Sequence, residues 1–173
     1  MTVCPQCRFD YDSLDATSVH AALTEVGDEF QGRLLEPVGT SLRVRPREGV
    51  WSALEYACHV RDVLLVQRDR LYLALVEDTP SFPRMYRDER AVLARYNQCD
   101  PAVVAAQLGM AAALAADAFM VLDGSQWERL LVYNWPHPRE LDVRWLGAHT
   151  VHEGRHHLED FDAVAAGRVP GEA

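Results

Sequence analysis

This sequence of 173 residues has few cysteines, no excess of positive charge and no signal-peptide pattern at its start. Four scattered cysteines are too few for a disulfide framework. The formal net charge of −9 argues against nucleic-acid binding, because a phosphate backbone requires a basic face. We also find no apolar run of membrane-spanning length. We therefore expect a cytoplasmic protein with a small-molecule substrate and no nucleic-acid or membrane partner.

Apolar residues make up 49% of the chain, which indicates a globular protein. The chain is long enough to form a core that needs no disulfide bonds or metal ions to hold it together. We expect a single folded domain over residues 15–167. An N-terminal Cys-x2-Cys segment over residues 1–14 precedes it, and a tail over residues 168–173 follows.

Apolar residues at three-to-four spacing predict four long helices. The predicted N-caps of the first three are Asp15 or Thr17, Ser52 and Asp100, and the fourth is expected to begin near Asp142. The predicted ends are Pro37, about Val76, about Leu122 and about Ala166. A short helix is expected over residues 85–97, and an extended pair or hairpin within residues 125–141. Four long helices favour an all-α four-helix bundle, with a crossover in the longest connection, between the second and third long helices.

The second long helix has the strongest start signal. Ser52 and Glu55 have the spacing of a capping box, and Trp51 and Tyr56 stand where a hydrophobic staple would lie. His59 follows about two turns into this helix, in line with apolar residues.

The fourth long helix carries four of the seven histidines. On a helix, positions three and four apart share a face. His149, His152, His156 and Asp160 therefore form one stripe. Glu153 and His157 form a second stripe about 100° around the axis.

A His-x3-His pair on a helix can bind a divalent metal, and three protein ligands with an open fourth position are typical of catalytic zinc. We favour His59, His152 and His156 as ligands, because all three then bind through nitrogen. Asp160, which follows in the same stripe, or Glu153 could hold the free ring nitrogen of a ligand.

The competing choice within this helix is the pair Glu153 and His157. His157 lies nearer the centre of the helix's widest apolar face than His156 does, so both choices stay open. The chemistry is the same in either case, because the metal would polarise an oxygen or sulfur atom or activate water.

The N-terminal Cys4-Pro-Gln-Cys7 resembles half of a zinc knuckle, without a second Cys pair to complete it. Cys58 and Cys99 are candidate partners. The alternatives are a structural metal on Cys4 and Cys7, free thiols, or a local disulfide.

Two motifs resemble those of the DinB/YfiT-like superfamily. They are Trp51-Ser-Ala-Leu-Glu-Tyr-Ala-Cys-His59 and the stretch from His152 to Phe161. The resemblance implies an up-down-down-up four-helix bundle, often a homodimer, with zinc or nickel on His59, His152 and His156.

Characterised members of this superfamily include mycothiol-dependent maleylpyruvate isomerase and mycothiol or bacillithiol S-transferases, in which a metal-bound thiolate attacks an electrophile. The resemblance implies a thiol-dependent S-transferase with a low-molecular-weight thiol cosubstrate, or a metal-dependent hydrolase, acting on a small electrophile. The alternative is a non-catalytic metal-binding or stress-related interaction module.

Overall fold

The computed structural model describes residues 3–36 and 42–171. The predicted helical bundle is confirmed. Its helices are α1 (Ala16–Leu35), α2 (Ala53–Val76), α3 (Arg87–Leu93), α4 (Pro101–Met120) and α5 (Val143–Ala165). Three short strands, β1 (Ser81–Phe82), β2 (Leu130–Tyr133) and β3 (Arg139–Asp142), form a small sheet in the order β1-β2-β3.

Local sequence signals set the starts of the long helices. The side chain of Asp15 accepts hydrogen bonds from the backbone N–H groups of Thr17 and Ser18, so Asp15 rather than Thr17 is the N-cap of α1. Asp100 and Asp142 cap α4 and α5 in the same way. Pro37, the predicted end of α1, lies outside the described residues.

The capping box of α2 forms as predicted. Ser52 Oγ accepts the N–H of Glu55, and the Glu55 carboxylate accepts the N–H of Ser52 at 2.9 Å. Arg45, from the preceding connection, donates to the same buried carboxylate. The rings of Trp51 and Tyr56 meet with centroids 5.5 Å apart, as a hydrophobic staple requires. The start of α2 is thereby fixed two turns before His59.

The contacts between helices give their directions. A Cβ at Gly147 would touch Val19, and a Cβ at Gly154 would touch Val26, so α1 and α5 run parallel with matched spacing. On α4, Ala112 faces Gly27 of α1, and further along the chain Asp117 faces His20. The two helices α1 and α4 are therefore antiparallel.

Helix α2 runs antiparallel to α5, because Tyr56 packs on His157 while His59 faces Glu153. Around the bundle, α1 contacts α4 and α5, and α2 also contacts α4 and α5. The parallel neighbours α2 and α4 need a long crossover, which residues 77–100 provide through β1 and α3. This is the expected up-down-down-up bundle.

The core lies between the four long helices. The apolar positions that predicted α1 are all buried there, namely Val19, Leu23, Val26, Phe30 and Leu34. By length and composition alone, α4 is apolar enough to cross a membrane. This corrects our expectation that no apolar run reaches membrane-spanning length. Half of that apolar window is buried inside the bundle, where it packs on α1 and α2.

Helix α1 packs tightly against α5 at Gly154. A Cβ at this position would lie 2.6 Å and 2.9 Å from the two γ-methyl groups of the buried Val26. Only a residue without a side chain fits, so this contact sets the distance between the helices and the rotation of α5 about its axis. Glu153, the neighbouring residue, is oriented by the same contact.

We expect Gly154→Ala to lower the free energy of unfolding. Overpacking costs about 1–3 kcal/mol, which outweighs the gain in helix propensity of about 1 kcal/mol. Gly32→Ala is the matched control, because nothing lies within 4 Å of a Cβ there and α1 gains the propensity alone. Urea unfolding of both variants measures the difference, and equal stabilisation by both changes would contradict the close approach.

Candidate metal centre

Helix α5 presents ligand-type side chains to two different neighbours. Within residues 3–36 and 42–171, four groups of such side chains have their ligand atoms within 4.8 Å of one another. They are His59 with Glu153 and His157, Cys4 and Cys7 with His152 and His156, His149 with His152 and Glu153, and His156 with His157 and Asp160.

The first group joins α2 to α5. His59 Nε2 lies 4.0 Å from Glu153 Oε2, and His157 Nε2 lies 3.7 Å from the same oxygen. The rings of His59 and His157 have centroids 4.9 Å apart, and both residues are buried. Three ligand atoms from two antiparallel helices thus converge on one point.

This donor set fits a divalent transition metal. Neighbouring nitrogen and oxygen ligands of a tetrahedral zinc ion lie about 3.4 Å apart, so shifts of a few tenths of an ångström would suffice. His157 Nδ1 is held by Asp160 Oδ2 at 2.8 Å, which leaves Nε2 facing Glu153. A carboxylate that fixes the second ring nitrogen is typical of metal-binding histidines.

The ring of His59 is buried. The indole of Trp51 meets its ring edge-on at 5.1 Å, and its Nδ1 has no hydrogen-bond partner within the described part of the chain. Burial, with the nearby His157 adding to it, lowers the pKa of His59 to about 3. His59 is therefore a neutral imidazole, the form that binds metals.

Glu153 and His157 carry opposite charges. Burial opposes ionisation of Glu153, but the facing imidazoles of His152 and His157 outweigh it and hold the pKa well below its usual range. Burial likewise disfavours the charged form of His157, but Asp160 and Glu153 outweigh it and raise the pKa to about 9. A bound cation would take the place of the proton on His157 Nε2.

The structure does not bring His59 together with His152 and His156 in one such group within its described residues. The two stripes of α5 point about 100° apart, so when Glu153 and His157 face α2, His152 and His156 turn toward the N-terminal segment. Which residues bind the metal stays a prediction, and the competing choice now has the better geometry.

The first group lines a cavity of about 310 Å³. One wall comes from α5 and α2, and the other comes from the crossover, where residues 84–89 border the opening. The start of the segment that we expected to be a short helix, residues 85–97, thus lies at the cavity. Tyr86 and Trp135 line the mouth, with exposed fractions of 52% and 55%.

A hydrogen-bonded chain lies beside the metal group, and no sequence pattern predicted it directly. Buried Arg70 donates to the Tyr133 hydroxyl at 3.0 Å, and that hydroxyl lies 3.1 Å from His149 Nε2. On its other side, His149 Nδ1 lies 3.3 Å from the hydroxyl of Tyr11. His149 could be singled out because it lies in the histidine stripe of α5. Tyr133 could not, because its segment was predicted only to be extended.

The order of donors fixes the form of His149. Arg70 and Gln67 both donate to the Tyr133 oxygen, so its own proton points to His149 Nε2. Burial lowers the pKa of His149 to about 4, so the ring is neutral and carries its proton on Nδ1, toward Tyr11. Both ring nitrogens are engaged, which makes His149 part of the cavity wall rather than a free ligand.

Comparison with known proteins agrees with this architecture. The family model of the DinB superfamily matches residues 22–161. The chain belongs to the DinB superfamily. Among solved structures, YfiT from Bacillus subtilis, described as a probable metal-dependent hydrolase with an unusual four-helix bundle topology, superposes with a TM-score of 0.76 at 20% identity, covering 90% of each chain. No curated protein matches this chain.

This confirms the predicted family and fold of the DinB chain. At 20% identity, the likeness to YfiT establishes the bundle and not the activity.

We expect Asp160→Ala to weaken metal binding at the His59–Glu153–His157 group by roughly 10–100-fold, since the change frees the ring of His157. Asp162→Ala is the matched control, because Asp162 lies on the same helix but pairs with Arg33. Competition with a chromogenic chelator measures both affinities. Equal affinities in the two variants would contradict the role of Asp160.

Proposed function

We propose that this DinB-superfamily protein binds one zinc or nickel ion through His59, Glu153 and His157 and uses it on a small electrophile. The reaction would be a hydrolysis or the transfer of a low-molecular-weight thiol. The observation that supports the proposal is a buried group of three ligands, with one side packed in the bundle and the other facing a cavity. This is the arrangement of a catalytic rather than a structural site.

The ion would supply Lewis-acid chemistry at a fourth position open to water or to a thiol. The ligands themselves are preorganised by the fold. Glu153 lies between the imidazoles of His152 and His157. The ring of His157 is held by Asp160, and the indole of Trp51 packs on His59. Fixed ligands need little rearrangement on binding, which favours a tightly held ion.

The rest of the cavity suits a small, partly apolar molecule. Tyr86 and Trp135 offer aromatic faces at the mouth, and a cavity of about 310 Å³ admits a compact ligand. Arg84 and Arg87 border the same opening but pair with the acidic neighbours Glu89 and Asp88. The mouth is therefore close to neutral, and shape rather than charge would select the substrate.

The proposal commits to an enzyme over a non-catalytic metal-binding or stress-related module. A module of that kind would fill every coordination position with protein atoms, whereas the cavity leaves one side of this group open. The homodimer and the cytoplasmic location suggested by the sequence stay predictions.

We expect His59→Ala and His157→Ala each to lose one equivalent of tightly bound metal, because each removes one of three ligands. His20→Ala is the control, since His20 lies on α1 beside Asp117, away from the cavity. Metal per chain is measured by elemental analysis after removal of loosely bound ions. Full retention of metal in both ligand variants would overturn the proposal.

Activity distinguishes the two reactions. The metal-loaded protein is incubated with a panel of small electrophiles, with and without mycothiol, bacillithiol or a simpler thiol. Turnover only with thiol indicates an S-transferase, and turnover without it indicates a hydrolase. Activity that is equal in the wild type and in His59→Ala would contradict a role for this metal group.

A further inference from the structure

The N-terminal segment forms a hairpin that places two thiols at its tip. Val3 and Asp10 pair across it, and the N–H of Cys4 donates to the carbonyl of Phe9 at 2.8 Å. The N–H of Arg8 donates back to the carbonyl of Cys4 at 3.0 Å, with Arg8 in the left-handed region at φ 60°. The chain therefore folds tightly around Cys4 and Cys7, which are both free thiols.

Two histidines of α5 face this tip. His152 and His156 lie one turn apart, with ring centroids separated by 5.2 Å. Neither ring nitrogen of His152 makes a hydrogen bond within residues 3–36 and 42–171, although its exposed fraction is only 7% and Glu153 Oε1 lies 3.6 Å from its Nδ1. Nδ1 of His156 is buried and unpartnered in the same way. Buried imidazole nitrogens without partners are costly and call for a ligand.

We propose that Cys4, Cys7, His152 and His156 form a second, structural zinc site that is distinct from the His59 group. Their four ligand atoms lie within 4.8 Å of one another. A tetrahedral zinc ion would bring them to about 3.4–3.8 Å, which side-chain shifts of about 1 Å achieve. Two sulfur and two nitrogen donors in this arrangement are characteristic of zinc.

This site supplies the second pair of ligands that the Cys4–Cys7 motif lacks in the sequence. The half knuckle at Cys4 and Cys7 is completed by two histidines near the other end of the chain rather than by a second cysteine pair. Cys58, one earlier candidate, is buried in α2 with its thiol directed to the carbonyl of Tyr96. Cys99, the other candidate partner, directs its thiol to the carbonyl of Arg95.

Four protein ligands leave no position for a substrate, so the role of this ion is to hold the N-terminal segment in place. Phe9 and Tyr11 pack against the ring of His152 at 5.4 Å and 5.1 Å. Gln6, at the hairpin tip, lines the cavity beside the His59 group. The second ion would therefore fix one wall of the candidate active site without taking part in its chemistry.

The two sites share no ligand, so this inference does not rest on the proposed function. His152 and His156 belong to one stripe of α5 and Glu153 and His157 to the other. His152 Nδ1 lies 3.6 Å from Glu153 Oε1, so the cysteine variant is the change that removes this site with the least effect on the other. The failure of one proposal would leave the other standing.

Cobalt titration of the full-length apoprotein tests the proposal, because tetrahedral Co²⁺ absorbs visible light and thiolate ligands add near-ultraviolet charge-transfer absorption. We expect two equivalents per wild-type chain with this charge-transfer band. Cys4→Ser/Cys7→Ser and His152→Ala/His156→Ala should each lose one equivalent, and the cysteine variant should lose the whole band. His59→Ala should also lose one equivalent but keep the band unchanged.

Cys99→Ser is the matched control and should keep both equivalents and the band. Circular dichroism checks that the variants retain the helices, and limited proteolysis should cut within residues 3–14 of the cysteine variant first. A band that survives in His152→Ala/His156→Ala at full intensity would overturn the proposal. So would a wild-type protein without the band, or a Cys4–Cys7 disulfide in protein purified under reducing conditions with zinc present.

Discussion

The chemistry of this protein depends on the rotation of one helix about its axis. Consecutive residues on a helix point about 100° apart, so the pairs 152/156 and 153/157 are directed mainly to different neighbours, although all four residues line one cavity. The contact of Gly154 with Val26 puts the glycine on the face of α5 that packs against α1. Glu153 and His157 then meet His59, while the other pair meets the N-terminal hairpin. A change of packing far from any ligand atom would therefore alter which groups can share an ion.

Burial adds the second constraint. An imidazole taken out of water must have a partner or a neutral form, and an isolated buried charge is expensive. His149 satisfies both ring nitrogens with tyrosine hydroxyls, and His157 pairs with Asp160. His152 has no such partner within the described residues. The same bundle thus contains histidines that are already satisfied and histidines that need a cation, and their contacts separate the two kinds.

Local features of this fold could be predicted from the sequence. Ser52 and Glu55 cap α2 because both halves of the box lie within one turn, and Asp100 before Pro101 starts α4 for the same reason. The choice between the stripes of α5 could not be made, because it depends on Val26 meeting Gly154 across the bundle. The proposed partners of Cys4 could not be predicted, because they lie on α5, far from Cys4 in the sequence.

The N-terminal hairpin packs on α5, so two segments that are far apart in the sequence meet here. Cys4 and Cys7 precede α1 and their proposed histidine partners lie on α5, so the bundle must be nearly complete before these residues can meet. Joining positions so distant in sequence closes a very long loop, and the entropy that a cross-link removes from the unfolded chain grows with loop length. The proposed second ion would therefore stabilise the N-terminal hairpin only after the whole bundle has assembled.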